Sequence, residues 1–81
     1  MIEILFFAQV RELTGTASLT LPAEFNDVDA LRRALCARGD RWALALEAGN
    51  LLAAVNQSLV AMDHPLQAGD EVAFFPPVTG G

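Results

Sequence analysis

The two most strongly apolar segments of this chain stand at its opposite ends. "IEILFFAQV" covers residues 2–10 and "EVAFF" covers residues 71–75 of the 81. Both are rich in the β-branched and aromatic residues typical of strands, and the first is apolar enough to predict burial on both faces. We therefore expect these two strands to lie side by side in the middle of one sheet.

One segment between them predicts an amphipathic helix. "NDVDALRRALCARG", residues 26–39, repeats its larger apolar residues at the spacing of one helical face. An Asn-Asp pair before the first turn can cap this helix, and an Arg-Gly pair can end it. The next segment, residues 40–49, predicts a short helical piece whose Trp42, Leu44 and Leu46 close the edge of the core.

Shorter strands and turns account for the rest. Residues 11–15 predict a turn after the first strand. "ASLTLP", residues 17–22, predicts a half-buried strand, because its leucines alternate with polar residues. "LLAAVN" at 51–56 and "SLVA" at 58–61 predict two further strands that meet at a turn around Asn56-Gln57.

The predicted order is strand, strand, helix and then three strands. A hairpin followed by a long helical crossover makes the first and last strands parallel neighbours, and the helix then packs across one face of the sheet. This is the order of the ubiquitin-like β-grasp, an α+β fold with a mixed sheet and one main helix. A chain of this length predicts one domain, and we expect it to cover residues 1–75 and to be followed by an extended tail at 76–81.

Alternation along the two central strands predicts an exposed apolar patch. The face that carries Glu3 should be the one away from the helix, since neighbouring strand residues point to opposite faces. That leaves Leu5, Phe7 and Phe75 pointing outward, and Leu59 of the fourth strand is a candidate to join them. Two outward phenylalanines on adjacent strands favour a partner-docking patch over scattered surface hydrophobes.

The negative net charge of the chain argues against partners that are themselves strongly negative. Ten acidic and five basic residues give a formal net charge of −5, which argues against nucleic acid and against an anionic membrane surface. No segment has the features of a signal peptide or the length of a membrane span. The single cysteine cannot form an internal disulfide, which fits a reducing cytoplasm, and we expect a cytoplasmic protein.

The segment "PPVTGG" predicts an arm that leaves the domain. Its two prolines lack N–H groups and have fixed φ angles, so the arm can neither extend the sheet nor form a helix. Its two glycines have no Cβ, so their backbone can pass through a narrow channel in a partner. The threading segment is Pro76, Pro77, Val78, Thr79 and Gly80, and the reactive group is the carboxylate of Gly81.

A carboxylate at the end of such an arm must be activated before it can react. Its pKa of about 3.3–3.7 keeps it ionised at neutral pH, where it is a poor electrophile. Attack on the α-phosphate of ATP would convert it into an acyl-adenylate, and sulfide would then give a thiocarboxylate. A terminal Gly-Gly is weak by itself, but with the Pro-Pro spacer and the β-grasp order it becomes a strong indication.

Four stretches resemble the small subunit of molybdopterin synthase, the MoaD family, and the resemblance extends over the whole chain. The most specific stretch is "GDEVAFFPPVTGG" at residues 69–81. The others are "LFFAQVRELTG" at 5–15, "RWALALE" at 41–47 and "LLAAVNQ" at 51–57. The resemblance implies a sulfur carrier.

The resemblance also implies partners and places the catalytic site on one of them. An E1-like adenylyltransferase would use ATP to adenylate Gly81, and a sulfur donor system would convert the adenylate to a thiocarboxylate. The large synthase subunit would take the tail into its active site, where sulfur passes to cyclic pyranopterin monophosphate to build the dithiolene of molybdopterin. The implied assembly is a heterotetramer, and no cofactor is expected to stay bound to this chain.

The other reactive side chains are expected to be structural or solvated. Cys36 is expected to be a small residue of the predicted helix, and His64 is the only histidine, so no histidine cluster can hold a metal. Asp70 and Glu71 are adjacent and point to opposite faces of a strand. We therefore expect no metal site and no catalytic pair.

Three other functions fit the same tail. A sulfur carrier of the thiamin pathway shares the fold and the Gly-Gly end, and a ubiquitin-like modifier joins that end to lysines of target proteins. A free thiocarboxylate would favour a carrier, and isopeptide ladders would favour a modifier. A pure binding module would tolerate the loss of Gly81.

Overall fold

The computed structural model describes residues 1–77, and a five-stranded mixed sheet dominates it. The strand order is β2-β1-β5-β3-β4, in which β1 and β5 are parallel and the other neighbours are antiparallel. The central parallel pair and the β-grasp topology are as predicted. The elements are β1 (Ile2–Phe6), α1 (Ala8–Thr14), β2 (Ser18–Leu21), α2 (Val28–Cys36), α3 (Asp40–Ala45), a short 3₁₀ turn (Ala48–Asn50), β3 (Leu52–Val55), β4 (Ser58–Val60) and β5 (Glu71–Phe75).

The core lies between one face of the sheet and the helices. Strand alternation turns Ile4 and Phe6 of β1 and Val72 and Phe74 of β5 into this layer, where each is at most 2% exposed. The rings of Phe6 and Phe74 stack with their centroids 6.4 Å apart, and Trp42 meets Phe6 edge-on at 5.5 Å. The predicted division of the two central strands into a buried and an outer face is therefore correct.

Helix α2 forms where the sequence predicts it. The Asp27 side chain caps it by accepting a hydrogen bond from the Ala30 N–H at 2.8 Å, and its apolar stripe is buried against the sheet through Val28, Leu31 and Leu35. The three helices have seven, nine and six residues. Within residues 1–77, no helix has the length and apolar character needed to cross a membrane.

Helix α1 is an element that the prediction missed. The first strand was expected to continue to Val10 and to be followed by a turn, but it ends at Phe6. Ala8 adopts a φ of +51°, which breaks the strand, and α1 then turns Val10 and Leu13 toward the core. Gly15 ends the helix with a φ of +67°, and its N–H donates to the Arg11 carbonyl at 2.9 Å. The spacing of Val10 and Leu13 ahead of that glycine is the signal that could have revealed α1.

Helix α3 confirms two of its three predicted core residues and corrects the third. Leu46 is fully buried and Trp42 packs against the core, but Leu44 is 62% exposed. The reason is the helical period: in "WALAL", Ala45 and Leu46 take the inward positions, so Leu44 projects away from the sheet.

The turn between β3 and β4 is strained in a way that glycine would relieve. Asn56 and Gln57 have φ angles of +51° and +71°, the two positive values of a type I′ hairpin turn, for which Asn-Gly is the preferred pair. Asn56 also anchors the turn, because its side chain donates to Asp70 and accepts from the Glu71 N–H.

Replacing Gln57 by glycine is expected to stabilise the domain. A left-handed residue with a Cβ costs roughly 1–2 kcal/mol, and the greater freedom of glycine in the unfolded chain cancels part of that gain, at about 0.4–1 kcal/mol. We expect the free energy of unfolding in urea to rise by about 0.5–1 kcal/mol. Gln57→Ala keeps the Cβ and is the control that should not stabilise; equal effects of the two substitutions would contradict this account.

Candidate functional site

The site begins at the root of the tail, where β5 ends. Phe75 makes the last ladder pair, with Leu52 of β3. Pro76 follows half-buried and Pro77 exposed, and neither has an N–H group to donate to a neighbouring strand. The chain therefore leaves the sheet directly after β5. Four predicted site residues lie outside the described residues: Val78, Thr79, Gly80 and Gly81.

The outer face of the sheet presents apolar side chains at this same end. Strand pairing aligns Leu5, Ala73, Ala54 and Leu59 in one row across four strands. Since paired residues point to the same face, Leu5 and Leu59 share the outer face, as predicted. Phe75 and Leu52 form a second row that is closer to the tail root.

Phe7 extends this surface beyond the end of β1. Its backbone is still extended, with φ −124° and ψ 156°, and its N–H donates to the Phe74 carbonyl at 3.2 Å. It therefore keeps the outward direction of Leu5 and lies alongside β5. Phe7 is 47% exposed and Leu59 is 69% exposed, and both belong to the large hydrophobic residues that the described fold leaves in solvent.

The four predicted residues therefore lie on one face, which we call the outer patch. The prediction missed three further members, Leu52, Ala54 and Ala73, because it assigned no faces to β3 and counted only the bulky Phe75 of β5. Ala54 is only 8% exposed yet lies outside the core cluster, as expected for a small residue between larger neighbours on the outer face. The outer patch comprises Leu5, Phe7, Leu52, Ala54, Leu59, Ala73 and Phe75.

The opposite end of the same face is polar and acidic. Glu3 pairs with Glu71 across the two central strands, and Thr20 lies opposite Glu3 on β2. Beside them, the backbone N–H of Gln67 and the side-chain amide of Asn56 donate to the Asp70 carboxylate and hold its pKa below its usual range. The outer face is therefore divided into an acidic end and an apolar end, and the tail leaves from the apolar end.

Cys36 and His64 lie at opposite ends of α2. The Cys36 Sγ lies 3.8 Å from both the Leu46 carbonyl oxygen and the Arg32 guanidinium, which itself donates to that carbonyl at 3.1 Å. The His64 carbonyl accepts from the Val28 N–H at the start of α2. In the part of the chain that the structure describes, no three His, Cys, Asp or Glu side chains are grouped as a metal site.

Comparison with known sequences supports one family. A sequence model of the ThiS family matches residues 4–81. The molybdopterin synthase sulfur carrier subunit of Escherichia coli K12 is 68% identical, and that of Haemophilus influenzae Rd is 52% identical. Each match covers 100% of this chain and 100% of the relative.

Comparison with solved structures finds the same fold in a subunit of the molybdopterin-converting factor and in a small archaeal modifier protein. The complex of subunits 1 and 2 of the molybdopterin-converting factor from Helicobacter pylori contains a similar chain, with 27% identity, a TM-score of 0.68, and 99% and 97% of the two chains covered. The small archaeal modifier protein 1 of Haloferax volcanii is 25% identical, with a TM-score of 0.73 and coverage of 95% and 97%. The chain therefore belongs to the ThiS family, and within it to the group that contains the molybdopterin synthase sulfur carrier subunits.

Proposed function

We propose that this protein is the sulfur carrier subunit of molybdopterin synthase. The observation that carries the proposal is the position of the tail root: the arm beginning at Pro76 leaves the sheet next to Phe7 and Phe75 of the outer patch. A partner that docks on this patch is therefore placed to receive the arm. The full-length identity to two curated sulfur carrier subunits supports the same proposal.

The reacting atom is the carboxylate carbon of Gly81. One of its oxygens attacks the α-phosphate of ATP on an adenylating partner, which releases pyrophosphate and forms the acyl-adenylate. A sulfur nucleophile then displaces AMP and leaves a thiocarboxylate. On the large subunit, the sulfur passes to cyclic pyranopterin monophosphate, and water restores the carboxylate. Because a dithiolene contains two sulfur atoms, each product requires two such deliveries.

The folded domain contributes docking and delivery. The outer patch gives the partner an apolar surface that the described part of the chain leaves uncovered, and aromatic side chains such as Phe7 and Phe75 are the residue types that dominate binding energy at interfaces. The acidic end around Glu3 and Glu71 fits a basic counterpart on the partner and would fix the orientation of docking. The partner is the large subunit of the synthase, and two copies of each chain form the complex.

Intact-mass measurement tests this proposal. The protein is incubated with ATP, the E1-like adenylyltransferase and a sulfur donor. The expected result is replacement of one oxygen by sulfur, and removal of ATP should prevent it. The charged carrier is then mixed with the large subunit and cyclic pyranopterin monophosphate, and molybdopterin should form as the carrier returns to its original mass. A carrier that keeps its sulfur in the presence of both would contradict the proposal.

A ubiquitin-like modifier is the second candidate, and the likeness to the small archaeal modifier protein 1 favours it. This function would leave the Gly81 carbonyl in isopeptide bonds to lysines of other proteins. The chain itself contains no lysine, so it could not form lysine-linked chains of its own copies. Isolation of the tagged protein from cells separates the two functions, because a carrier is recovered as free chain and a modifier is recovered in conjugates.

A further inference from the structure

A groove lies at the root of the tail, between α1 and α3. Its volume is about 530 Å³. Its lining is mixed: Val10 and Leu13 of α1 and Leu44 of α3 contribute apolar surface, and Gln9, Glu47 and Asn50 contribute polar surface. Pro76 and Pro77 form part of the wall, so the tail departs from the groove itself.

Leu44 is the feature of this groove that the fold does not explain. Its side chain is 62% exposed, although Ala45 and Leu46 beside it are buried. Glu47 is the charged residue in the groove lining. An exposed leucine next to a carboxylate can bind a partner segment in which an apolar residue stands beside a Lys or Arg: the apolar side chain would pack on Leu44, and the cation would pair with Glu47.

We propose, on the basis of the proposed function, that this groove is a second docking surface for the large subunit of the synthase. The occupant is an apolar side chain of the large subunit beside a Lys or Arg that faces Glu47. The tail root is a wall of the groove, so a protein that holds the tail also lies at the mouth of the groove. A solved complex of a similar chain with its subunit 2 exists, which makes the large subunit the occupant to test.

The position of the groove explains why a second surface would matter. The outer patch and the groove lie on opposite sides of the β5 end, because Phe75 points to the outer face and the groove is bounded by helices on the core face. A partner bound at both surfaces contacts the tail root on two sides. Contact on both sides fixes the direction in which the arm leaves the domain. Docking on the outer patch alone would not fix it.

Neighbouring residues of α3 provide a matched test. Leu44→Glu places a charge in the groove, and Ala43→Glu places the same charge on an exposed residue of the same helix that does not line the groove. Isothermal titration calorimetry of each full-length variant with the large subunit should show affinity reduced about tenfold or more for Leu44→Glu and nearly unchanged for Ala43→Glu. Because both sites are exposed, thermal unfolding of both variants should stay close to wild type.

A charge reversal tests the cationic part of the occupant. Glu47→Arg and Glu24→Arg change the net charge equally, but Glu24 is exposed and does not line the groove. Weaker binding of Glu47→Arg alone supports the proposal. Equal weakening by both variants means that overall charge is responsible and overturns the cationic part of the occupant.

Two further outcomes would overturn the groove proposal. One is wild-type affinity of Leu44→Glu for the large subunit. The other is an effect of Leu44→Glu on adenylation alone, which would assign the groove to the activating enzyme. These outcomes are distinct from a failure of the sulfur carrier function, which would appear as wild-type protein that acquires no thiocarboxylate in the intact-mass assay.

Discussion

Deletion of Gly81 is expected to abolish sulfur transfer and to leave the domain folded. The deletion shortens the reach of the arm by about 3.5 Å, and a misplacement of about 1 Å can already cost on the order of 10²-fold in rate. Addition of one alanine after Gly81 should be as damaging, because the carboxylate then stands on the wrong carbon. Both variants are assayed by intact mass after incubation with the adenylating enzyme and the sulfur donor, and then by product formation with the large subunit.

The controls separate the chemistry of the tail from the stability of the domain. Residues 76–81 follow the last strand, so the free energy of unfolding in urea should be the same for wild type and both variants. Gly81→Ala keeps the carboxylate in place and adds a Cβ, so it should retain adenylation better than the deletion but pass more slowly through a narrow channel. Normal sulfur transfer by the extended protein, with the extension still attached, would refute the carrier function.

Alanine substitutions of the adjacent residues Phe74 and Phe75 are expected to affect different properties: the first lowers stability, and the second weakens binding. Phe74 is fully buried and stacks on Phe6, so Phe74→Ala should lower the free energy of unfolding by roughly 3–5 kcal/mol. Phe75 lies on the outer patch, so Phe75→Ala should mainly weaken binding to the large subunit. Truncation of an aromatic anchor costs about 2 kcal/mol or more, which corresponds to roughly 30-fold in Kd.

Urea unfolding and calorimetry of the complex distinguish these effects. Phe7→Ala is the companion variant on the same face, and it should weaken binding as Phe75→Ala does. Asn26→Ala is the control, because Asn26 is exposed, lies ahead of α2 and is not part of the outer patch. Wild-type affinity of both phenylalanine variants would mean that the outer patch is not the docking surface.

The main features of the fold could be predicted because the two central strands are strongly apolar and their residues alternate regularly between two faces. The apolar pattern of Ile2–Phe6 and Glu71–Phe75 required central burial, and alternation then assigned their faces. Helix α1 escaped prediction since it has only seven residues. Such a short helix is not stable by itself, and it depends on packing against α3 and the end of β5, so its local signal, Val10 and Leu13 ahead of Gly15, is weak.

Some residues of the candidate site could likewise be predicted from the sequence, and others could not. Phe7, Phe75, Leu5 and Leu59 could be found because bulky outward residues on predicted strands are visible in the sequence. Leu52 and Ala54 could not, because "LLAAV" does not alternate, and only the register of β3 with β5 shows which of its residues point outward. The groove at the tail root depends on how α1 and α3 pack, so sequence patterns alone gave no sign of it.

The parallel pairing of β1 with β5 has a consequence for how the protein is made. Strand β1 cannot complete its pairing until β5 has been synthesised, because β5 lies between β1 and β3 and connects the two halves of the sheet. A nascent chain that has not yet reached Glu71 lacks the middle of its sheet and leaves apolar surface exposed. Folding is therefore delayed until β5 has been synthesised, and a chain that terminates before β5 is a target for proteolysis.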